Sequence, residues 1–140
     1  MRRFPSAKHI ASWAGICPGN HESAGKRKSG RTRKGSRWLR EALVEAARAA
    51  ARTRNTYLAA QYRRLAARRG GNRAVVALAH TILVIAYTLL RDGGTYQDLG
   101  PGYFDQLDHE RVQRRLINRL ERMGCRVIVE PLAEPAEPMA

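Results

Sequence analysis

The sequence predicts a mainly α protein, a small helical domain with a strongly basic loop near its N-terminus. Three observations carry this reading. Apolar residues recur at helical spacing in four separate stretches. A fifth stretch, Ala74 to Leu90, is apolar nearly all round, as a central helix covered by others would be. The segment joining the first two stretches holds almost no large apolar side chain and many cations. At 140 residues with 44% apolar content, the chain has room for one domain with a modest core.

Taken in order, Phe4, Ala7, Ile10, Ala11 and Ala14 share a helical face, and Pro5 with Ser6 suits a helix start. Gly15 and then the turn residues Pro18, Gly19 and Asn20 stop that helix. Residues 20–36 follow as the basic loop, with small residues at Ser23, Gly25, Ser29, Gly30 and Gly35. Such a composition packs poorly and belongs on the surface. Ser36 has the chemistry of an N-cap for a helix with Leu39, Leu43, Ala46, Ala47 and Ala50 facing inward and ending near Arg52. The pattern resets at Thr53 to Asn55 and resumes with Tyr57, Leu58, Tyr62 and Leu65, as a second helix or the continuation of a bent one.

The Arg68-Arg69-Gly70-Gly71 break leads into the apolar helix, which Gly93 and Gly94 end. Its apolar run of about 17 residues is marginal for a bilayer span. The run is also interrupted by His80, Thr81 and Thr88. A buried helix is the better reading, and no membrane partner is expected. Tyr96, Tyr103 and Phe104 fall in an irregular connection punctuated by Gly100, Pro101 and Gly102. Val112, Leu116, Leu120 and Met123 then define a last helix whose other face, with Arg111, Arg115, Arg119 and Arg122, is solvated. Arg126 to Val129 has the character of a short strand, and the Pro-rich acidic end that of a disordered tail. The domain reading is therefore a helical core at residues 1–95, an extension with one helix at 96–129, and a tail at 130–140.

Charge narrows the function. The net charge is +14 and the pI about 11.1, the electrostatic footprint of a nucleic-acid binder. Residues 1–91 hold 20 basic and 3 acidic residues, whereas residues 92–140 hold 6 and 9. Binding thus belongs to the first two thirds. Within residues 25–40, Lys26, Arg27, Lys28, Arg31, Arg33, Lys34, Arg37 and Arg40 occur with no acid among them. That density of cations repels itself unless phosphates neutralise it. The glycine spacing matches neither a phosphate-binding P-loop nor a dinucleotide fingerprint. Arg37 and Arg40 sit in the first helical turn, where cations oppose the helix dipole and a bound anion would relieve the conflict. Trp38 is either a stacking surface or an inward-packing residue.

Other chemistry is thinly represented. Cys17 and Cys125 are far apart, giving no zinc or disulfide pattern, and suit a reducing cytoplasm. The histidines His9, His80 and His109 are dispersed and give no metal spacing, and His80 reads as a core residue with one hydrogen-bonded nitrogen. Acids in the basic region are too few for a two-metal nuclease site. No cofactor or metal is expected in this chain. On residue chemistry alone Ser23 carries no signal, because a serine hydroxyl needs a base or a concentrated positive field to attack. His21 and Glu22 adjoin it and read as solvated.

Taken as a phrase, however, Arg3-Phe4-Pro5-Ser6, Ala11 to Gly15, Pro18, Ser23 with Gly25-Lys26, Gly30, Gly35, Trp38-Leu39-Arg40, Leu43 and Ala46-Ala47 are distinctive. They resemble the C-terminal transposase domain of the insertion-sequence one-hundred-and-ten family of bridge-RNA-guided serine transposases, and the likeness extends to Leu90-Arg91-Asp92-Gly93. The resemblance implies a helix-hairpin-helix-like N-terminal element. It also implies Ser23 as a nucleophile attacking a DNA phosphodiester during strand exchange, with DNA and a guide RNA as partners and a homo-oligomeric full-length protein. Members of that family carry a nuclease-like domain with four acidic metal ligands ahead of this region. Against them this chain reads as a fragment, with magnesium implied only for the missing domain and no independent recombinase activity expected. The alternative is a non-catalytic basic protein that binds nucleic acid without reading sequence.

Overall fold

The computed structural model describes residues 3–18 and 21–130. The turn positions Gly19 and Asn20 and tail residues 131–140 lie outside it. Six helices and one two-stranded hairpin make up the described chain. They are α1 (Ala7–Trp13), β1 (His21–Ser23), β2 (Lys26–Ser29), α2 (Arg37–Arg52), α3 (Tyr57–Arg69), α4 (Gly71–Asp92), α5 (Tyr103–Leu107) and α6 (His109–Arg122). The mainly α class read from the sequence holds. Two compact units divide after Phe104.

In the first unit α4 is the centre. Helices α1, α2 and α3 all pack against it, and α2 also packs on α3. Leu78 and Ala79 are fully buried, with Ala74, Leu83 and Tyr87 beside them on the same helix. Ile10 and Ala11 from α1, Ala14 and Ile16 just after it, and Leu43 and Ala47 from α2 complete the cluster. Many of these are alanines, so helices approach closely and the core is thin. Length and apolarity alone would let α4 cross a bilayer, but its packing against three neighbours makes it a core helix. The Tyr87 hydroxyl donates to the Phe4 carbonyl at 2.7 Å, clipping the start of the described chain to α4.

The helix boundaries follow local chemistry. Thr56 caps α3 by accepting from the Ala59 N–H at 3.3 Å, and the break at Thr53 to Asn55 resolves into two helices rather than one bent one. Ser36 occupies the N-cap of α2 with extended backbone, yet its hydroxyl makes no capping bond. Gly70 joins α3 to α4 directly. The connection after α4 is more ordered than its composition suggests. Asp98 accepts from the backbone N–H of Tyr57 at 3.0 Å, of Gly100 at 2.7 Å and from the Tyr96 hydroxyl at 2.9 Å. A carboxylate distant in sequence thereby satisfies an orphan N–H at the start of α3. Tyr57 stacks on Phe104 and meets Tyr103 edge-on, and the Arg64 guanidinium lies over Phe104.

The second unit contains α6. Its arginines at 111, 115, 119 and 122 are exposed as expected, but Leu116, Leu120 and Met123 are exposed as well. No strand forms at Arg126 to Val129. A single extended segment without a partner has no ladder to join, which overturns the strand expectation.

Candidate nucleic-acid interface

The basic segment is a structured arm rather than an irregular loop. At its base two backbones cross in contact. A Cβ on Gly35 would collide with the Gly15 nitrogen and the Ala14 carbonyl carbon, and one on Gly15 would fall 2.7 Å from the Arg33 carbonyl oxygen. Only hydrogen fits on either side. Next to the crossing, the Ser36 N–H donates to the Trp13 carbonyl at 3.2 Å. Further out, Pro18 and Thr32 form an isolated antiparallel bridge. The chain leaving α1 and the chain entering α2 are thus fastened together before the arm extends.

Beyond that bridge, β1 and β2 pair antiparallel, with Ser23 opposite Lys26, Glu22 opposite Arg27, and His21 opposite Ser29 after an irregularity. Ala24 and Gly25 form the tip with φ of 50° and 71°, the sign a two-residue type I′ hairpin turn demands at both central positions. Gly25 accepts this freely, whereas Ala24 holds it at a steric cost. Neither strand carries an apolar side chain. Backbone pairing and the fastened base hold the arm, and its described side chains from Glu22 to Lys26 are exposed.

Ser23 is therefore exposed, at the end of β1 beside the turn and in register with the exposed Lys26. Its hydroxyl makes no hydrogen bond among the described residues, so no described group stands ready as its base. Arg27 and Lys28 lie in β2, and their side chains, like that of His21, are outside the described residues. Arg31, Arg33 and Lys34 are exposed on the returning strand of the arm. Arg37 is exposed but engaged, its Nε 2.8 Å from Glu41 Oε1 one helical turn on, and that contact raises its pKa further. Arg40 is half-buried on α2. Trp38 is 83% exposed, so it does not pack inward.

One part of this surface was not legible as a site in the sequence. A cleft of about 1050 Å³ opens between the base of the arm and the junction of α3 with α4. Arg31 reaches it from the arm, and Arg68, Arg69 and Arg73 from the junction. Gln61, His80 and Thr81 line it too. The basic run Arg68-Arg69 followed by Arg73 was visible, but only the helix turn at Gly70 brings it to face the arm. His80 is half-buried, and burial lowers its pKa, favouring the neutral ring. Among the described residues it forms no hydrogen bond, contrary to the expected bonded core histidine, because its ring borders the cleft instead of a polar partner.

Among the described residues no three His, Cys, Asp or Glu side chains come together as a metal site. The donors for a magnesium centre are not found among them.

Residues 1–63 match the family model described as Transposase IS116/IS110/IS902 family. Over that stretch, which contains α1, the basic arm, α2 and half of α3, the chain is similar to the transposase domain of that family. The match supports a transposition-related function and implies DNA as the partner. No curated protein and no solved structure matches the chain.

Proposed function

We propose that this transposase-family domain uses its basic arm to hold a DNA strand at the hairpin tip, where Ser23 attacks a phosphodiester. The observation that carries the reading is the geometry of the arm. A serine stands exposed beside a tight turn, opposite a lysine, on a frame whose base is locked by two glycines in backbone contact. Lys26, Arg27, Lys28, Arg31, Arg33, Lys34, Arg37 and Arg40 neutralise backbone phosphates. Those nearest Ser23 offset charge developing on the non-bridging oxygens.

In the step itself Ser23 Oγ forms a bond to phosphorus as the bond to one sugar oxygen breaks. The serine proton passes to solvent or to a group brought by the partner, and the departing sugar oxygen takes up a proton. A strand is then held as a phosphoserine diester. Attack by another strand's sugar hydroxyl reverses the step and restores the serine. The same proposal includes a guide RNA beside the DNA, self-association in a full-length protein, and a cytoplasmic setting. The second reading, a basic protein that binds without chemistry, is favoured by one observation, the absence of any described base at Ser23.

Equilibrium binding to duplex DNA over a salt series tests the binding half. Affinity falls steeply with salt, and neutralising Arg31 and Arg33 together lowers the slope of log K against log salt by about 2. Ser23→Ala leaves both slope and affinity unchanged. A salt-independent affinity would remove the arm from the interface.

A further inference from the structure

From the cleft between the arm and the α3–α4 junction, we infer a second site that takes one unstacked nucleotide of a single nucleic-acid strand. Its four arginines hold the flanking phosphates, and Gln61 accepts a hydrogen bond from the base. The inference rests on the nucleic-acid reading above but is independent of any chemistry at Ser23.

The lining divides by chemistry and exposure. Arg31, Arg68, Arg69 and Arg73 are exposed and mark the mouth. Among the described residues none of them forms an ion pair and no Asp or Glu lines the cleft. Four unpaired cations around one concavity form an anion site, and their number suits two successive phosphates rather than one. Gln61, Thr81 and His80 are half-buried. Ile16, Leu65, Val76 and Ala77 add apolar wall. A volume of about 1050 Å³ lies just above the roughly 300–1,000 Å³ typical of small-ligand sites, leaving room for a nucleotide and its flanking phosphates. Flipped bases are held between just such apolar walls and read on their polar edges.

Gln61 makes the interior specific. Its Nε2 donates to Thr81 Oγ1 at 2.9 Å, and Thr81 in turn donates to the Ala77 carbonyl at 3.3 Å. The amide is fixed in one orientation by this chain, which leaves its oxygen as the acceptor. Among the described residues that Oε1 has no partner and is closed off from solvent, so a base meets it by displacing the cover over this edge of the cleft. A buried acceptor without a donor is a cost to the fold that a donor from outside relieves. Every nucleobase offers an N–H donor on its pairing edge. A base inside a duplex is already paired and cannot present that edge to a concave wall, so the occupant is an unstacked nucleotide. Single-stranded DNA and RNA share this chemistry.

The test measures binding of the full chain to an oligonucleotide carrying one fluorescent adenine analogue whose emission rises on unstacking. Single-stranded DNA, single-stranded RNA of the same sequence, blunt duplex DNA and inorganic phosphate are compared. Both single strands are expected to bind with a rise in emission, and the tighter of the two names the physiological strand. Replacing Arg68, Arg69 and Arg73 together with Gln weakens single-strand binding by about tenfold or more and removes the emission rise. Duplex affinity changes by less than about threefold. Gln61→Leu suppresses the emission rise while leaving the melting temperature equal or higher, an outcome a merely structural glutamine would not give.

Equal losses for duplex and single strand in the triple variant, or an emission rise that survives both sets of changes, would overturn the cleft and leave the arm's role standing. Failure of the unmodified chain to bind any nucleic acid would overturn both readings.

Discussion

The helical bundle and the basic arm are built on opposite terms. The bundle is held by side chains. Leu78 and Ala79 on α4 are fully buried, and three helices close over that helix. The arm is held by backbone. Its strands carry no apolar residue, and its fixed points are the Gly15–Gly35 crossing, the Pro18–Thr32 bridge and the turn at Ala24-Gly25. A segment stabilised by its main chain can dedicate its side chains to a ligand. The bundle can do so only where packing fails to close, which is at the cleft beside Gln61.

The comparison breaks most visibly at the centre of the bundle. Leu78→Ala removes a fully buried side chain from the middle of α4 and should lower unfolding stability by about 3 kcal/mol or more, measured by urea denaturation. Gly35→Ala attacks the arm instead. The added methyl meets backbone on the opposite strand, which cannot rotate away, and overpacking of this kind costs roughly 1–3 kcal/mol. The bundle should keep its helical circular dichroism while DNA affinity falls. If Gly35→Ala leaves affinity intact, the crossing does not position the arm.

A smaller effect tests how the connection after α4 is tied to α3. The backbone N–H of Tyr57, joined by that of Gly100, holds the Asp98 carboxyl below its usual pKa. Burial, joined by the hydrogen bond to the same carboxyl, pushes Tyr96 up to about 12. A depressed carboxyl contributes stability that is fully present above its unfolded value near 3.9 and is lost as pH falls through the lower folded value. Asp98→Ala should cost about 1 kcal/mol at neutral pH, as loss of a helix-start acceptor does. It should also flatten the acid limb of the stability profile below about pH 4. An unchanged acid limb would mean that Asp98 does not hold the segment in solution.

Much of the bundle was legible in the sequence because its helices are written in apolar periodicity. The all-round apolar run became α4, Ser36 became the position before α2, and the reset at Thr53 to Asn55 became a true break. The arm's cations and Ser23 were legible as composition and as resemblance, but its hairpin was not. His21-Glu22-Ser23 and Lys26 to Ser29 lack the alternating apolar pattern that announces strands, and the pairing is fixed by a turn and a distant glycine contact. The five-residue α5 fell in a stretch marked by Gly100, Pro101 and Gly102, which reads as turn. The strand expected at Arg126 to Val129 shows the converse, a local preference that no partner fulfils. The cleft escaped notice because it joins Arg31 to Arg68, Arg69 and Arg73, residues that only the fold brings to one surface.

The most direct test of the central claim is covalent trapping. Labelled element-end DNA and guide RNA are incubated with this domain and a separately supplied metal-binding domain of the family, using the unmodified chain and Ser23→Ala in parallel. The account predicts a denaturation-resistant protein–DNA adduct on the unmodified chain that maps to Ser23 and is absent from the variant, with DNA affinity equal in both. Binding without any adduct, or an adduct that persists in Ser23→Ala, would contradict it and leave the arm as a clamp for nucleic acid.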